Sequence, residues 1–254
     1  MCTRLRELVA EATGAPPESL VFSAGSEELI YAAVRLVLDP GDRCVFPTPS
    51  FPIYQHAATV SGADWGTAAL TEDGACDADA LLSAIDGKTK LVFCATVNNP
   101  TGGLIAKADL ARLAQEVPSS ILLAVDDAYF EYARHAGGED ALEILRERDG
   151  PWMLMRTFSK AYALAGLRVG YGFLNDPAMV DAYVNLKPMF NVTSVAQAAA
   201  AAAWQETDWR DDMLDLCAAQ RTRIVEGLTA LGAQPYRTVA NYVTSRLDRP
   251  AGPV

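Results

Sequence analysis

Thr157-Phe158-Ser159-Lys160-Ala161-Tyr162-Ala163-Leu164-Ala165-Gly166-Leu167-Arg168-Val169-Gly170 is the stretch whose reading decides the fold. It follows the apolar run Trp152-Met153-Leu154-Met155, which reads as a buried strand, so Lys160 falls at a strand end. Desolvation in such a setting disfavours the ammonium form and leaves an amine able to attack a carbonyl. Hydroxyls flank Phe158 on either side, and Arg168 lies in a glycine-bracketed turn eight positions after the lysine. Hydroxyls and a guanidinium are the groups that hold a phosphate. The stretch therefore sets an imine-forming amine beside a phosphate cradle.

Outward from this segment, short apolar runs alternate with helical patterns, the sequence form of an α/β layer fold. Strands are expected at 20–22, 43–46, 90–95, 121–125, 152–157 and 169–174. Helices are expected at 5–12, 27–38, 53–60, 77–85, 107–116 and 140–148. The nearly all-small stretch 192–203 reads as a helix packed closely on its neighbours, and 209–231 as a long amphipathic helix stopped by Gly232. The segment 241–247 alternates like a half-buried strand. The chain then ends at 250–254 as a new unit opens, which reads as a fragment, because a lone strand leaves backbone groups unpaired.

Three further constellations sit where strands give way to turns. In Ser23-Ala24-Gly25-Ser26-Glu27-Glu28, a helix N-terminus offers backbone N–H groups and its dipole to a phosphate. Gly25 permits close approach and Ser26 adds a hydroxyl, while Glu27 and Glu28 would repel the anion and are assigned no contact. A plain turn with an N-cap serine is the alternative. Asn98-Asn99-Pro100-Thr101-Gly102-Gly103 marks a turn in any protein, but it follows a strand at the edge where open α/β sheets bind ligands. Asp126-Asp127-Ala128-Tyr129 closes the apolar strand 121–125. A carboxylate there needs a cationic or donor partner, unless the turn is exposed or one aspartate caps a helix. Phe51, among the prolines of the segment 47–54, is either ordinary core or a ring that stacks on a ligand.

Bulk properties narrow the classes. The 254 residues suffice for a sizeable core, and a net charge of -11 argues against a phosphate-backbone binder. No segment reaches the run of roughly 18 apolar residues needed to span a membrane. The five cysteines are scattered, with no CxxC pair, which fits buried thiols in a reducing cytoplasm rather than disulfides or a zinc site. Only two histidines are present.

The string Ser-Lys-Ala-x-x-Leu-Ala-Gly-Leu-Arg-x-Gly, with Asn-Asn-Pro-Thr-Gly and Asp-Asp-Ala-Tyr before it in order, resembles the fold type I pyridoxal-phosphate aminotransferases. The histidinol-phosphate and aromatic branch is the nearest, and the resemblance runs from about Arg4 to Leu247. It implies a three-layer α/β/α large domain, with a mostly parallel seven-stranded sheet carrying one antiparallel strand. This domain would take residues 1–207, and 208–254 would form the linking helix and the start of an incomplete small C-terminal domain. It also implies that Lys160 forms the aldimine with pyridoxal 5′-phosphate and relays protons. Asp126 would face the pyridine nitrogen, and Asn99 and Tyr129 the phenolic oxygen. Phe51 would stack on the ring, where many relatives carry Tyr. Gly25, Ser26, Thr157, Ser159 and Arg168 would hold the phosphate. Asp127 stands where the family usually has Glu.

The implied reaction moves an amino group between an amino substrate, L-histidinol phosphate first, and 2-oxoglutarate. Aromatic amino acid transamination, a phosphothreonine-type decarboxylase and a non-catalytic pyridoxal-phosphate regulatory domain are the alternatives. Family members are homodimers whose N-terminal arm reaches the partner's phosphate site and whose C-terminal domain clamps a substrate carboxylate. Neither piece is visible here, so the chain reads as truncated at both ends and poorly active by itself.

Overall fold

A computed structural model describes residues 2–247; the expected opening of a new unit at 250–254 lies outside them. Seven strands form the main sheet: β1 (Leu20–Ser23), β2 (Arg43–Pro47), β3 (Asp64–Ala68), β4 (Thr89–Ala95), β5 (Leu122–Asp126), β6 (Trp152–Thr157) and β7 (Gly170–Leu174). Their spatial order is β1-β7-β6-β5-β4-β2-β3. β7 runs antiparallel to both β1 and β6, and the other pairs are parallel. The expected sheet, with one antiparallel strand, is the one observed. β3 is an addition: its Asp64-Trp65-Gly66-Thr67-Ala68 lacks an apolar run because it is an edge strand paired on one side only.

Among the described residues, ten helices surround the sheet: α1 (Thr3–Thr13), α2 (Ser26–Val37), α3 (Ile53–Val60), α4 (Ala78–Ser83), α5 (Lys107–Glu116), α6 (Phe130–His135), α7 (Ala141–Leu145), α8 (Pro177–Leu186), α9 (Ser194–Gln205) and α10 (Thr207–Ala230). The strands are buried on both faces, as expected of a sheet covered by helices. One core layer joins Leu29, Ile30 and Ala33 of α2, Tyr54 and Ala57 of α3 and Tyr183 of α8 to one sheet face. The opposite layer takes Leu5 and Val9 of α1, Leu110 and Leu113 of α5, and Ala196 and Ala200 of α9. In α9 these two alanines, four apart, let the backbone approach α1 closely.

Three expectations need correction. The helix at 140–148 is confined to the five residues of α7. The long helix is present as α10, but among the described residues only its Leu214 is buried, so its apolar positions do not make one covered stripe. The strand at 241–247 shrinks to β9 (Ser245–Arg246), paired antiparallel with β8 (Gln234–Pro235). The rest of that segment, with Val239 just before it, lies on the Asn98–Gly103 turn: Val239 N–H donates to Gly102 O (3.2 Å), Tyr242 Oη to Asn98 O (2.8 Å) and Thr244 Oγ1 to Pro100 O (2.5 Å). Half the alternating pattern thus faces a loop instead of a sheet. No helix among the described residues is long and apolar enough to cross a membrane, and all five cysteines are free.

Candidate active site

The C-terminal ends of β4, β5 and β6 and the N-terminus of α2 converge on a cavity of about 180 Å³. Ser26, Phe51, Asn99, Asp126, Tyr129, Thr157, Ser159, Lys160 and Arg168 all line it. These are the residues singled out in the sequence, drawn from positions far apart in the chain, with Gly25 just behind them. A larger cavity of about 620 Å³ opens beside α6 and α10 and contains none of them. Position in the sheet and side-chain chemistry, not volume, make the smaller one the candidate site.

The two aspartates separate because strand residues alternate faces. Asp126 falls on the face of Leu122 and Ala124, towards α2 and α3. Its Oδ2 accepts from Tyr54 Oη at 2.7 Å and its Oδ1 from Ala128 N–H at 3.2 Å. Burial pushes this carboxyl above its ordinary value, against the hydrogen bonds from Tyr54 and Ala128 and the charge of Lys160. Asp127 turns to the other face, where Arg156 Nε donates to its Oδ2 (2.8 Å) and Thr96 Oγ1 to its Oδ1 (2.6 Å). Both aspartates are buried, and α6 is capped by Tyr129, so the exposed-turn and helix-cap alternatives do not describe them. Burial works against both charges of the Asp127–Arg156 pair. The guanidinium nonetheless lies above its ordinary value, held protonated by Asp127, Tyr171 and Asp140.

Lys160 Nζ lies 5.2 Å from the centre of the Tyr129 ring, so these two side chains share one wall. Burial, with the Asp126 charge, pushes the Tyr129 phenol up to about 12, which keeps it protonated and a donor near neutrality. Tyr242 packs edge-on against that ring at 5.4 Å. Asn98 is structural: its Nδ2 donates to Pro49 O (3.0 Å) and Thr101 Oγ1 (2.8 Å), and its Oδ1 accepts from Ser50 (2.6 Å). Asn99, next to it, lines the cavity.

At the opposite end, Gly25 has φ 84° and Arg168 has φ 53°, both left-handed. A Cβ on Gly25 would collide with the Arg168 guanidinium, whose Cζ would lie 2.8 Å away. A Cβ on Gly170 would lie 2.5 Å from Ser26 N. The two glycines therefore let Arg168 lie against the N-terminus of α2, where its Nη2 donates to Ala24 O (3.4 Å). Thr157 Oγ1 accepts from Ser159 N–H (3.2 Å) and lies 2.9 Å from Ser159 Oγ, which orients that hydroxyl. Glu28 is turned away: it accepts from Ala24 N–H (2.9 Å) and Asn191 Nδ2 (2.7 Å). Glu27, expected to stay clear of the site, does line the cavity.

This donor set fits pyridoxal 5′-phosphate: a guanidinium, a hydroxyl and a helix N-terminus at one end, and a carboxylate and an amine at the other. Tyr54 was not foreseen as a site residue. The only sequence signal was its place one helical turn after Phe51.

The fold and the site together define a fold type I aminotransferase large domain, and the chain belongs to the aminotransferase class I and II family, which residues 2–251 match. It is 38% identical over 249 residues to histidinol-phosphate aminotransferase 2 of Caulobacter vibrioides, covering 98% of this chain and 65% of that protein. It is also 38% identical over 244 residues to the aromatic amino acid aminotransferase of Rhodococcus jostii, covering 96% and 67%. The crystal structure of histidinol-phosphate aminotransferase from Sinorhizobium meliloti, in complex with pyridoxal-5′-phosphate, superposes with a TM-score of 0.91. That match has 27% identity and covers 98% of this chain and 67% of the other. The chain thus spans about two-thirds of the length of these relatives.

Proposed function

We propose that the protein is a pyridoxal-phosphate-dependent aminotransferase, transferring an amino group between L-histidinol phosphate and 2-oxoglutarate. The observation that carries this is the convergence of nine sequence-identified residues on one cavity, with Lys160 and Asp126 both in its wall. Residues 1–207 form the cofactor-binding large domain, and 208–254 lead into a smaller one. When bound, pyridoxal phosphate supplies an aldehyde for amines and a ring that withdraws electrons.

The chain's own groups divide the remaining work. Ser26, Ser159, Arg168 and the backbone at Gly25 hold the phosphate, and Thr157 orients Ser159. Phe51 covers one ring face, giving up the hydroxyl that a tyrosine would add. Asp126 keeps the pyridine nitrogen protonated, and Asn99 and Tyr129 donate to the phenolic oxygen. Freed once a substrate amine has taken its place, Lys160 Nζ would be the base that moves a proton between the substrate Cα and the cofactor carbon that bore the aldehyde, two atoms along.

The partner proposed is a second copy of the chain, and the compartment the cytoplasm. Aromatic amino acids are the second reading, favoured by the Rhodococcus jostii relative at the same identity as the Caulobacter one. The test offers histidinol phosphate and phenylalanine separately with 2-oxoglutarate and the cofactor, and follows glutamate. Glutamate from histidinol phosphate at the greater kcat/KM is expected. A preference for phenylalanine selects the second reading, and no glutamate from any amine refutes transamination by this chain.

A further inference from the structure

We propose that Tyr54 is a positioning residue for Asp126: its buried phenol fixes one carboxylate oxygen and so sets how strongly the site selects a ligand with a basic ring nitrogen. Tyr54 has no exposed surface, and Asp126 is its one hydrogen-bond partner among the described residues, Oη to Oδ2 at 2.7 Å. Its ring stacks on Phe93 of β4, with centroids 4.7 Å apart and planes 14° from parallel. Phe93 lies opposite Ala124, and Ala95 opposite Asp126, in the β4–β5 register. A ring laid over Phe93 therefore carries its hydroxyl along the sheet to Asp126. Phe46 packs against it at 6.2 Å, and Phe51 meets it edge-on at 6.1 Å. The same side chain thus braces both the carboxylate and the aromatic that faces the ligand.

Burial, reinforced by the Asp126 charge, drives the Tyr54 phenol well above its ordinary value, so it is a donor near neutrality. Ala128 N–H holds the second oxygen, so the carboxylate is fixed from two sides in the cavity wall. Burial favours the neutral acid at Asp126, and the phenol opposes this. Without it, the carboxyl shifts towards a form that cannot stabilise a pyridinium.

This role rests on the assignment of Asp126 to the ring nitrogen, and the test separates the two. Dissociation constants are measured for pyridoxal phosphate and for its analogue with C–H in place of the ring nitrogen, on the wild type, Tyr54→Phe and Asp126→Ala. The wild type should prefer pyridoxal phosphate, and Asp126→Ala should lose the preference; a preference that survives there overturns the assignment of Asp126. Tyr54→Phe keeps the stacked ring. It should reduce the preference about tenfold, the scale of one hydrogen bond to a charged group, while binding the analogue as the wild type does. In the ligand-free protein, a carbon-13 titration should show the Asp126 carboxyl moving up in Tyr54→Phe. A full preference in Tyr54→Phe, equal weakening of both ligands or an unmoved carboxyl would overturn the proposal for Tyr54.

Discussion

Removing the Asp127 carboxylate should destabilise the protein by about 3 kcal/mol, towards the lower end of the range for breaking a buried ion pair. Asp127 and Arg156 are 2% and 1% exposed, and the guanidinium already has one nitrogen, Nη1, without a partner. Asp127→Ala strips the acceptor from Arg156 Nε and from Thr96 Oγ1, leaving a buried cation with two unmet donors. Each lost bond to a charged group is worth about 1.5–3 kcal/mol. Asp140, at Nη2 and 26% exposed, keeps a counter-ion in place and holds the total below the sum. Stacking of Arg156 on Phe130, 3.4 Å from its ring centre, also survives.

Equilibrium urea unfolding would measure the loss in a cycle of Asp127→Ala, Arg156→Met and the double variant. The double variant should lose less than the two singles added, because it leaves no orphaned charge. A loss under about 0.5 kcal/mol for Asp127→Ala, or strict additivity, would refute the reasoning.

Arg168→Lys keeps the charge but loses the two-pronged geometry, so pyridoxal phosphate should bind at least about tenfold more weakly with the preference among amines unchanged; altered amine preference at normal affinity would contradict this. Glu131, 6% exposed on α6, is pushed by burial to about 7 from an unfolded value of 4.5. The folded state therefore holds the extra proton, and stability falls as pH rises from 4.5 through 7, by at most about 3 kcal/mol for this group. Asp126 and Asp127 are shifted the same way, so the check is a difference: Glu131→Gln should flatten the fall in unfolding free energy between about pH 5 and 8. Parallel curves for the two proteins would place the pH dependence elsewhere.

The sheet was legible because six of its strands are buried on both faces and read as unbroken apolar runs. β3 was not, because an edge strand has no such run, and its Gly66 gives way to the side chain of Arg43. α8 carried a readable start, Asp176 accepting from Ala178 N–H at 2.8 Å with Pro177 in the first turn, and was still missed in the sequence. The residues that line the cavity were legible because they fall in the turns that follow strands or precede helices, which local patterns mark. Tyr54 was not, because its partner lies 72 residues away and only the β4–β5 register brings them together. The same holds for Arg156 with Asp127, 29 apart in the chain and joined across neighbouring strands.

Lys160 as the carrier of the cofactor is the claim on which the rest depends. Incubating the protein with pyridoxal phosphate, reducing with borohydride and mapping the proteolytic peptides tests it directly. A single stable adduct on Lys160, absent from Lys160→Ala, is the predicted result. An adduct that persists in Lys160→Ala, or a label spread over surface lysines with Lys160 unmodified, would contradict the account.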